Sequence, residues 1–284
     1  MAVLPLAIPP IDTRLELRAV ALIVTTGCVL VASACMAQEG QREHVETDRD
    51  SFTPATTTVA PGRLVLESAY SFIDNRSVPE THSFPELLVR FGVADWLELR
   101  FGANYEVGGE SSSISGSGSG GGAGFDSAEI ESEANVSYGL KAALSSQDAW
   151  LPRTAAIVQG FTPTSGADTN TNVVVTYVWG WEIGGRLCWD SAIRYGHSVA
   201  EEDRFNRWAP STVLKAQIHE QWNAHIEYFG IFTDGRSDEL SQSYLSPGLH
   251  CLVTPDLEVG MRVGWGLGGD AANFFSNVGV GLQF

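Results

Sequence analysis

Leu257-Glu258-Val259-Gly260-Met261-Arg262-Val263-Gly264-Trp265-Gly266-Leu267 is the stretch that decides the fold. Leu257, Val259, Met261, Val263, Trp265 and Leu267 share one parity. Glu258, Gly260, Arg262, Gly264 and Gly266 share the other. Side chains alternate across a β-strand, so this is a strand with one apolar and one polar face. A helix would scatter the same residues around its whole circumference.

Working outward, the pattern recurs. Residues 97–105 set Leu97, Leu99, Phe101, Ala103 and Tyr105 against Glu98, Arg100, Gly102 and Asn104. Similar segments lie at 62–73, 84–93, 128–144, 153–163, 171–180, 182–195, 207–218, 222–233, 243–253 and 274–284. With 96–107 and 257–268 they make twelve predicted strands. The connections after even strands are short: 94–95, 145–152, 180–181, 219–221 and 254–256. Those after odd strands are mostly longer: 74–83, 108–127, 164–170, 196–206, 234–242 and 269–273. Short turns at one end and long loops at the other are the pattern of an outer-membrane barrel, and an even count puts both termini at the short-turn, periplasmic end. The fold class is therefore all-β, a transmembrane antiparallel β-barrel of about 12 strands.

Residues 19–34, AVALIVTTGCVLVASA, follow Arg14 and Arg18 and precede a polar run. A basic region, an apolar core and small residues define a secretory signal peptide, here 1–37, with a lipidation site at Cys35 as the alternative ending. Residues 38–61 then form a periplasmic N-terminal segment and 62–284 the barrel, with a Gly/Ser-rich outer loop at 108–127. No later stretch nears the 18 apolar residues of a membrane helix. Seventeen Lys and Arg against 34 Asp and Glu give a net charge of −17, which argues against a nucleic-acid partner. Only Cys188 and Cys251 remain in the body, with no CxxC or His/Cys cluster, so neither a zinc site nor any other metal is expected. By parity Cys188 points inward and Cys251 outward, which argues against a disulfide.

The same parity places Arg63, Glu67, Glu86, Arg90, Glu98, Arg100, Glu129, Glu131, Glu133, Lys141, Arg186, Arg194, Lys215, Glu227, Glu258 and Arg262 on the lumen side. The expected pore lining is Glu67, Arg90, Glu98, Arg100, Glu131, Arg186, Glu258 and Arg262. A hairpin about Ala94 sets Arg90 opposite Glu98, a favourable cross-strand pair. The acidic excess favours cations or neutral solutes. Tyr105, Trp181, Trp189, Trp208 and Trp265 fall near strand ends, as interfacial girdles do. The partners expected are outer-membrane lipid, a small-molecule solute, and the barrel-assembly machinery, which would read the last strand ending in Phe284.

The opening of the mature chain carries Thr47-Asp48-Arg49, then Pro61-Gly62 with Glu67, then Arg90-Phe91-Gly92 and Leu97-Glu98-Leu99-Arg100. These resemble the outer-membrane transporter family named for the meta-pathway of phenol degradation. Members usually have Pro after Asp-Arg, where this chain has Asp50. The resemblance implies an outer-membrane channel for hydrophobic or aromatic compounds and supplies no catalytic residues. The expected function is passive passage of small molecules, without cofactor and without enzyme activity. Two alternatives remain: a plugged structural or adhesion barrel of the envelope, and a barrel hydrolase. The second needs a Ser beside a His, and only His197-Ser198 offers one, and then only in a loop.

Overall fold

The computed structural model describes residues 44–76, 78–109, 131–165, 170–200, 203–235 and 239–284. The signal segment and most of the Gly/Ser-rich loop lie outside these residues. Among the described residues there are twelve strands: β1 (Leu64–Asp74), β2 (Thr81–Ala94), β3 (Leu97–Gly108), β4 (Glu131–Ser145), β5 (Arg153–Pro163), β6 (Asn172–Ile183), β7 (Leu187–Ala200), β8 (Asp203–His219), β9 (Trp222–Asp234), β10 (Ser241–Thr254), β11 (Leu257–Gly266) and β12 (Phe274–Gln283). Each pairs antiparallel with its neighbours in sequence, and β1 pairs with β12 to close the sheet. Closure leaves no edge, so every strand finds hydrogen-bond partners without water, which hydrocarbon cannot replace.

The faces follow the sequence alternation. On β11 Met261 and Trp265 are exposed on the outer wall, while Glu258 and Arg262 are buried inside. Phe101, Tyr138, Val158, Val175, Tyr177, Ile193, Leu214, Ile226 and Val280 extend the exposed apolar belt around the wall. Aromatic pairs reinforce it: Trp181 lies 5.5 Å from Trp189, Tyr195 lies 4.4 Å from Trp208, and Trp265 lies 6.0 Å from Phe274. Cys188 and Cys251 are both free thiols.

Three local expectations need correction. The β6–β7 turn is not at 180–181. β6 continues to Ile183, and the turn uses Gly184 and Gly185, at φ +63° and +70°. Two consecutive positive φ values match a tight hairpin turn, which glycine enters without strain. Gly180 instead sits in the strand because a Cβ there would come 1.9 Å from an Asp190 carboxylate oxygen. Arg186 consequently lies exposed in the turn, at the rim of the lumen and not on a strand face. Residues 196–206 are mostly strand rather than loop, since β7 runs to Ala200 and β8 starts at Asp203. Finally, Arg90 is level with Arg100, and Glu98 with Gly92, because the β2–β3 turn falls at Asp95 and Trp96 and not at Ala94, with an irregularity between Gly92 and Ala94.

Gly92 also lets another segment approach. A Cβ at this position would lie 2.1 Å from the Ala60 carbonyl oxygen and 2.3 Å from that of Val59, both backbone atoms. Gly92→Ala is expected to destabilise the barrel by about 1–3 kcal/mol, as overpacking does. A lowered temperature for the heat-dependent gel shift of the folded barrel checks this; an unchanged shift contradicts the contact.

Candidate functional site: a hairpin inside the lumen

Residues 45–59 were expected to lie outside the barrel, in the periplasmic segment 38–61. They run inside it instead. Val45 enters where its N–H donates to the Pro255 carbonyl in the β10–β11 turn at 2.8 Å. The chain rises to Phe52 and Thr53, turns, and returns to Val59, whose N–H donates to Glu98 Oε2 at 2.9 Å. Val45, Thr47, Asp48, Arg49, Ser51, Phe52, Thr53, Ala55, Thr56 and Val59 are all buried. Within the hairpin, Ala55 N–H donates to Asp48 Oδ1 at 3.0 Å and the Thr57 hydroxyl donates to Glu46, which ties the two arms together.

An irregular segment has backbone N–H groups that no ladder satisfies, and buried donors need acceptors. The wall supplies them as inward-facing carboxylates. Glu67 Oε2 accepts from Asp48 and Arg49 N–H, each at 3.0 Å. Glu227 accepts from Phe52 N–H at 2.8 Å, and from the Thr53 N–H and hydroxyl at 2.7 Å each. Glu258 accepts from the Thr47 hydroxyl at 2.6 Å.

The hairpin's own charges meet wall charges of opposite sign. Asp48 takes Arg100 Nη1 at 2.5 Å and Lys141 Nζ at 3.3 Å, with Arg90 Nε at 3.8 Å. Burial pushes the Asp48 carboxyl up, but Arg90, Lys141 and Arg100 outweigh it and hold it well below the ordinary value. Arg49 pairs with Glu86, and Asp50 with Lys215 at 2.9 Å. Arg194 donates to the Phe52 carbonyl, and its guanidinium carbon lies 4.0 Å from the centre of that ring.

Beneath this contact the wall keeps its own network. Arg90 bridges Glu67 at 3.0 Å and Glu98 at 2.9 Å, and Arg100 reaches Glu98 at 2.8 Å. Arg262 pairs with Glu227 at 3.3 Å. Of the expected lining, Glu67, Arg90, Glu98, Arg100, Glu258 and Arg262 are thus brought together around the hairpin. Glu131 begins β4, and its side chain lies outside the described residues, as does Glu129. Arg63 is at the rim, 3.1 Å from Asp256.

Beyond the apex the lumen turns apolar. Phe52 stacks on Phe229 with centroids 4.4 Å apart, Phe229 on Tyr244 at 4.9 Å, and Phe275 joins both. Ala271 and Ala272 of the β11–β12 connection pack into this cluster, held by the Ala272 N–H donating to Tyr244 Oη at 3.0 Å. Two cavities of about 480 and 400 Å³ flank the hairpin. His197 lies on β7, with Nδ1 3.2 Å from Asn206, and not in the loop that the hydrolase reading requires.

Parity placed the wall charges in the lumen but said nothing of the hairpin. The available signal was a polar stretch, Glu46 to Thr58, with both charge signs and a single large apolar residue, Phe52.

A family model described as "Putative MetA-pathway of phenol degradation" matches residues 47–284. Among solved structures the chain is similar to an outer-membrane channel from Pseudomonas putida F1, at 12% identity, over 87% of this chain and 100% of that one, with a TM-score of 0.58. It is also similar to the NanC porin, at 12% identity, over 77% of this chain and 98% of that one, with a TM-score of 0.50. No curated protein matches it. At such identities these likenesses establish the fold, that of a bacterial outer-membrane barrel.

Proposed function

Because the chain belongs to this phenol-degradation MetA-pathway family, we propose that it is an outer-membrane channel for passive passage of small molecules, and that hairpin 45–59 is its gate. The observation that carries the reading is how the hairpin is held. It makes polar contacts to the wall over most of its length and is covalently tied to the sheet only through its continuation into β1. Such a segment can leave without breaking one barrel hydrogen bond between strands. Withdrawal opens the lumen of a twelve-stranded barrel, wider than an eight-stranded one whose side chains fill it.

The solute class follows from what withdrawal uncovers. Phe229, Tyr244 and Phe275 lose their cover by Phe52 and form an aromatic wall on the outer side of the charged ring. We therefore assign small aromatic and hydrophobic solutes, which stack on such rings. Passage down a gradient needs no cofactor or catalytic group. Phe284, at the end of the strand that closes the barrel, would be the contact for the assembly machinery.

A second reading is a sealed structural barrel, favoured by the same filled lumen. Liposome swelling separates the two. Vesicles carrying the refolded mature chain are expected to admit neutral aromatic alcohols faster than sugars of equal size. Swelling no faster than in protein-free vesicles, for every solute, would favour the sealed barrel.

A further inference from the structure

We infer that Asp50, His225 and His250 form a site for a divalent transition-metal ion that clasps the hairpin to β9 and β10. The three residues are 175 and 25 positions apart in sequence, so no spacing motif announces them, and the sequence reading expected no metal. The fold brings one ligand atom of each within 4.8 Å of the others.

The imidazoles are built in rather than accommodated by chance. His225 stands level with Gly248 on β10, and His250 with Gly260 on β11. A Cβ on Gly248 would lie 2.2 Å from His225 Cε1, and one on Gly260 would lie 2.3 Å from His250 Nδ1. Each ring therefore occupies the space that its neighbour's missing side chain leaves. The rings stack with centroids 4.9 Å apart, and His225 Nδ1 faces His250 Nε2 at 2.8 Å.

The second observation is the state of the remaining nitrogens. His225 and His250 are 5% and 4% exposed, and His225 Nε2 and His250 Nδ1 are buried without a hydrogen-bond partner. With one proton shared between the facing nitrogens, neither outer nitrogen of the bare pair has a partner, a state that native interiors normally avoid. With the facing nitrogens on the ion, His250 Nδ1 becomes an N–H donor toward Glu258 Oε1, now 3.8 Å away. A carboxylate behind a ligating imidazole is the usual support of such sites.

Zinc binds imidazole nitrogen at about 2.0–2.1 Å, which separates two such ligands by about 3.3 Å. The rings must part by about half an ångström to admit the ion. Asp50 completes the set from the hairpin side. Lys215 occupies its Oδ2 at 2.9 Å, and Oδ1 receives the Ser51 hydroxyl at 3.2 Å. Lys215 and Arg262 face the site as cations and Asp50 as an anion, so the ion is selected by imidazole ligation and not by net charge. The cavity of about 400 Å³ lined by Glu46, Asp50, Lys215, His225, His250 and Glu258 provides the entry path.

The inference does not depend on what the barrel passes. Its test is zinc binding by the refolded mature chain, in competition with a chromogenic chelator, after the heat-dependent gel shift has shown the barrel folded. One zinc ion per barrel is expected. His225→Gln or His250→Gln should weaken binding at least about 100-fold, Asp50→Asn and Glu258→Gln by about 10–100-fold. The surface variant His197→Gln should leave it unchanged. Should a histidine variant fail to fold, the visible absorption of Co²⁺ bound to the native chain reports imidazole ligation directly. Absence of stoichiometric binding in the native chain overturns the site, as does binding that survives loss of both histidines.

Discussion

Glu227→Ala is expected to raise the open fraction of the channel by about 100-fold. Glu227 is fully buried and accepts every wall-directed hydrogen bond that the apex donates, from the Phe52 N–H, the Thr53 N–H and the Thr53 hydroxyl. Removing it strands three buried donors, each at about 1–3 kcal/mol, and removes the Arg262–Glu227 ion pair. The barrel wall does not bear most of this cost, because the hairpin can leave and hydrate its own donors. The change therefore appears in the docking equilibrium, where about 3 kcal/mol is roughly 100-fold. Glu227→Gln, which keeps one carbonyl acceptor, should fall between. Single-channel open probability is the measurement. A Glu227→Ala barrel that is folded and opens no more often than the native one contradicts the apex assignment.

Arg90→Ala should both open the channel and change its selectivity. Arg90 touches Glu67, Glu98 and Asp48, and also donates to the Glu46 carbonyl at 2.8 Å. It is the common partner of two wall carboxylates and one hairpin carboxylate, all buried. Taking one partner from a buried ion network costs about 3–5 kcal/mol, because uncompensated charge stays behind. Expelling the hairpin removes Asp48 from the site and admits water, so undocking is the favoured relief. Glu67 and Glu98 then face the open lumen with one counter-charge fewer. Reversal potentials under a salt gradient should move toward the cation value. Unchanged selectivity in an open Arg90→Ala channel would show that these carboxylates do not line the path.

Strand positions and faces were legible in the sequence because a lipid-facing wall demands strict alternation, as at Leu257–Leu267. Loop lengths added the topology for the same reason. Two kinds of feature escaped. One is local register: glycine reads alike as a turn residue and as a strand residue making room for a neighbour. Gly180 faces Asp190 across the sheet, whereas Gly184 takes the positive φ of the turn. The other is whatever enters the lumen from outside the sheet. The hairpin has no period of its own, since most of its donors reach carboxylates scattered over five different strands and not a neighbouring ladder. Its Asp50 sits where the family pattern has proline, and it meets Lys215, His225 and His250 only through the closure of the barrel. The inward placement of Glu67, Glu227 and Glu258 was readable; what they hold was not.

The gate can be locked to test the central claim. The Thr47 Cβ lies 3.6 Å from the position of a Cβ built on Gly281, within the range that a disulfide spans. A Thr47→Cys, Gly281→Cys barrel, with Cys188 and Cys251 changed to Ser, therefore cross-links the hairpin to β12 when oxidised. Single-channel recording of this one protein before and after reduction is the decisive measurement. The hairpin gate predicts silence when the bond is formed and discrete conducting steps when it is reduced. Equal conductance in both states, or none in either, would contradict it.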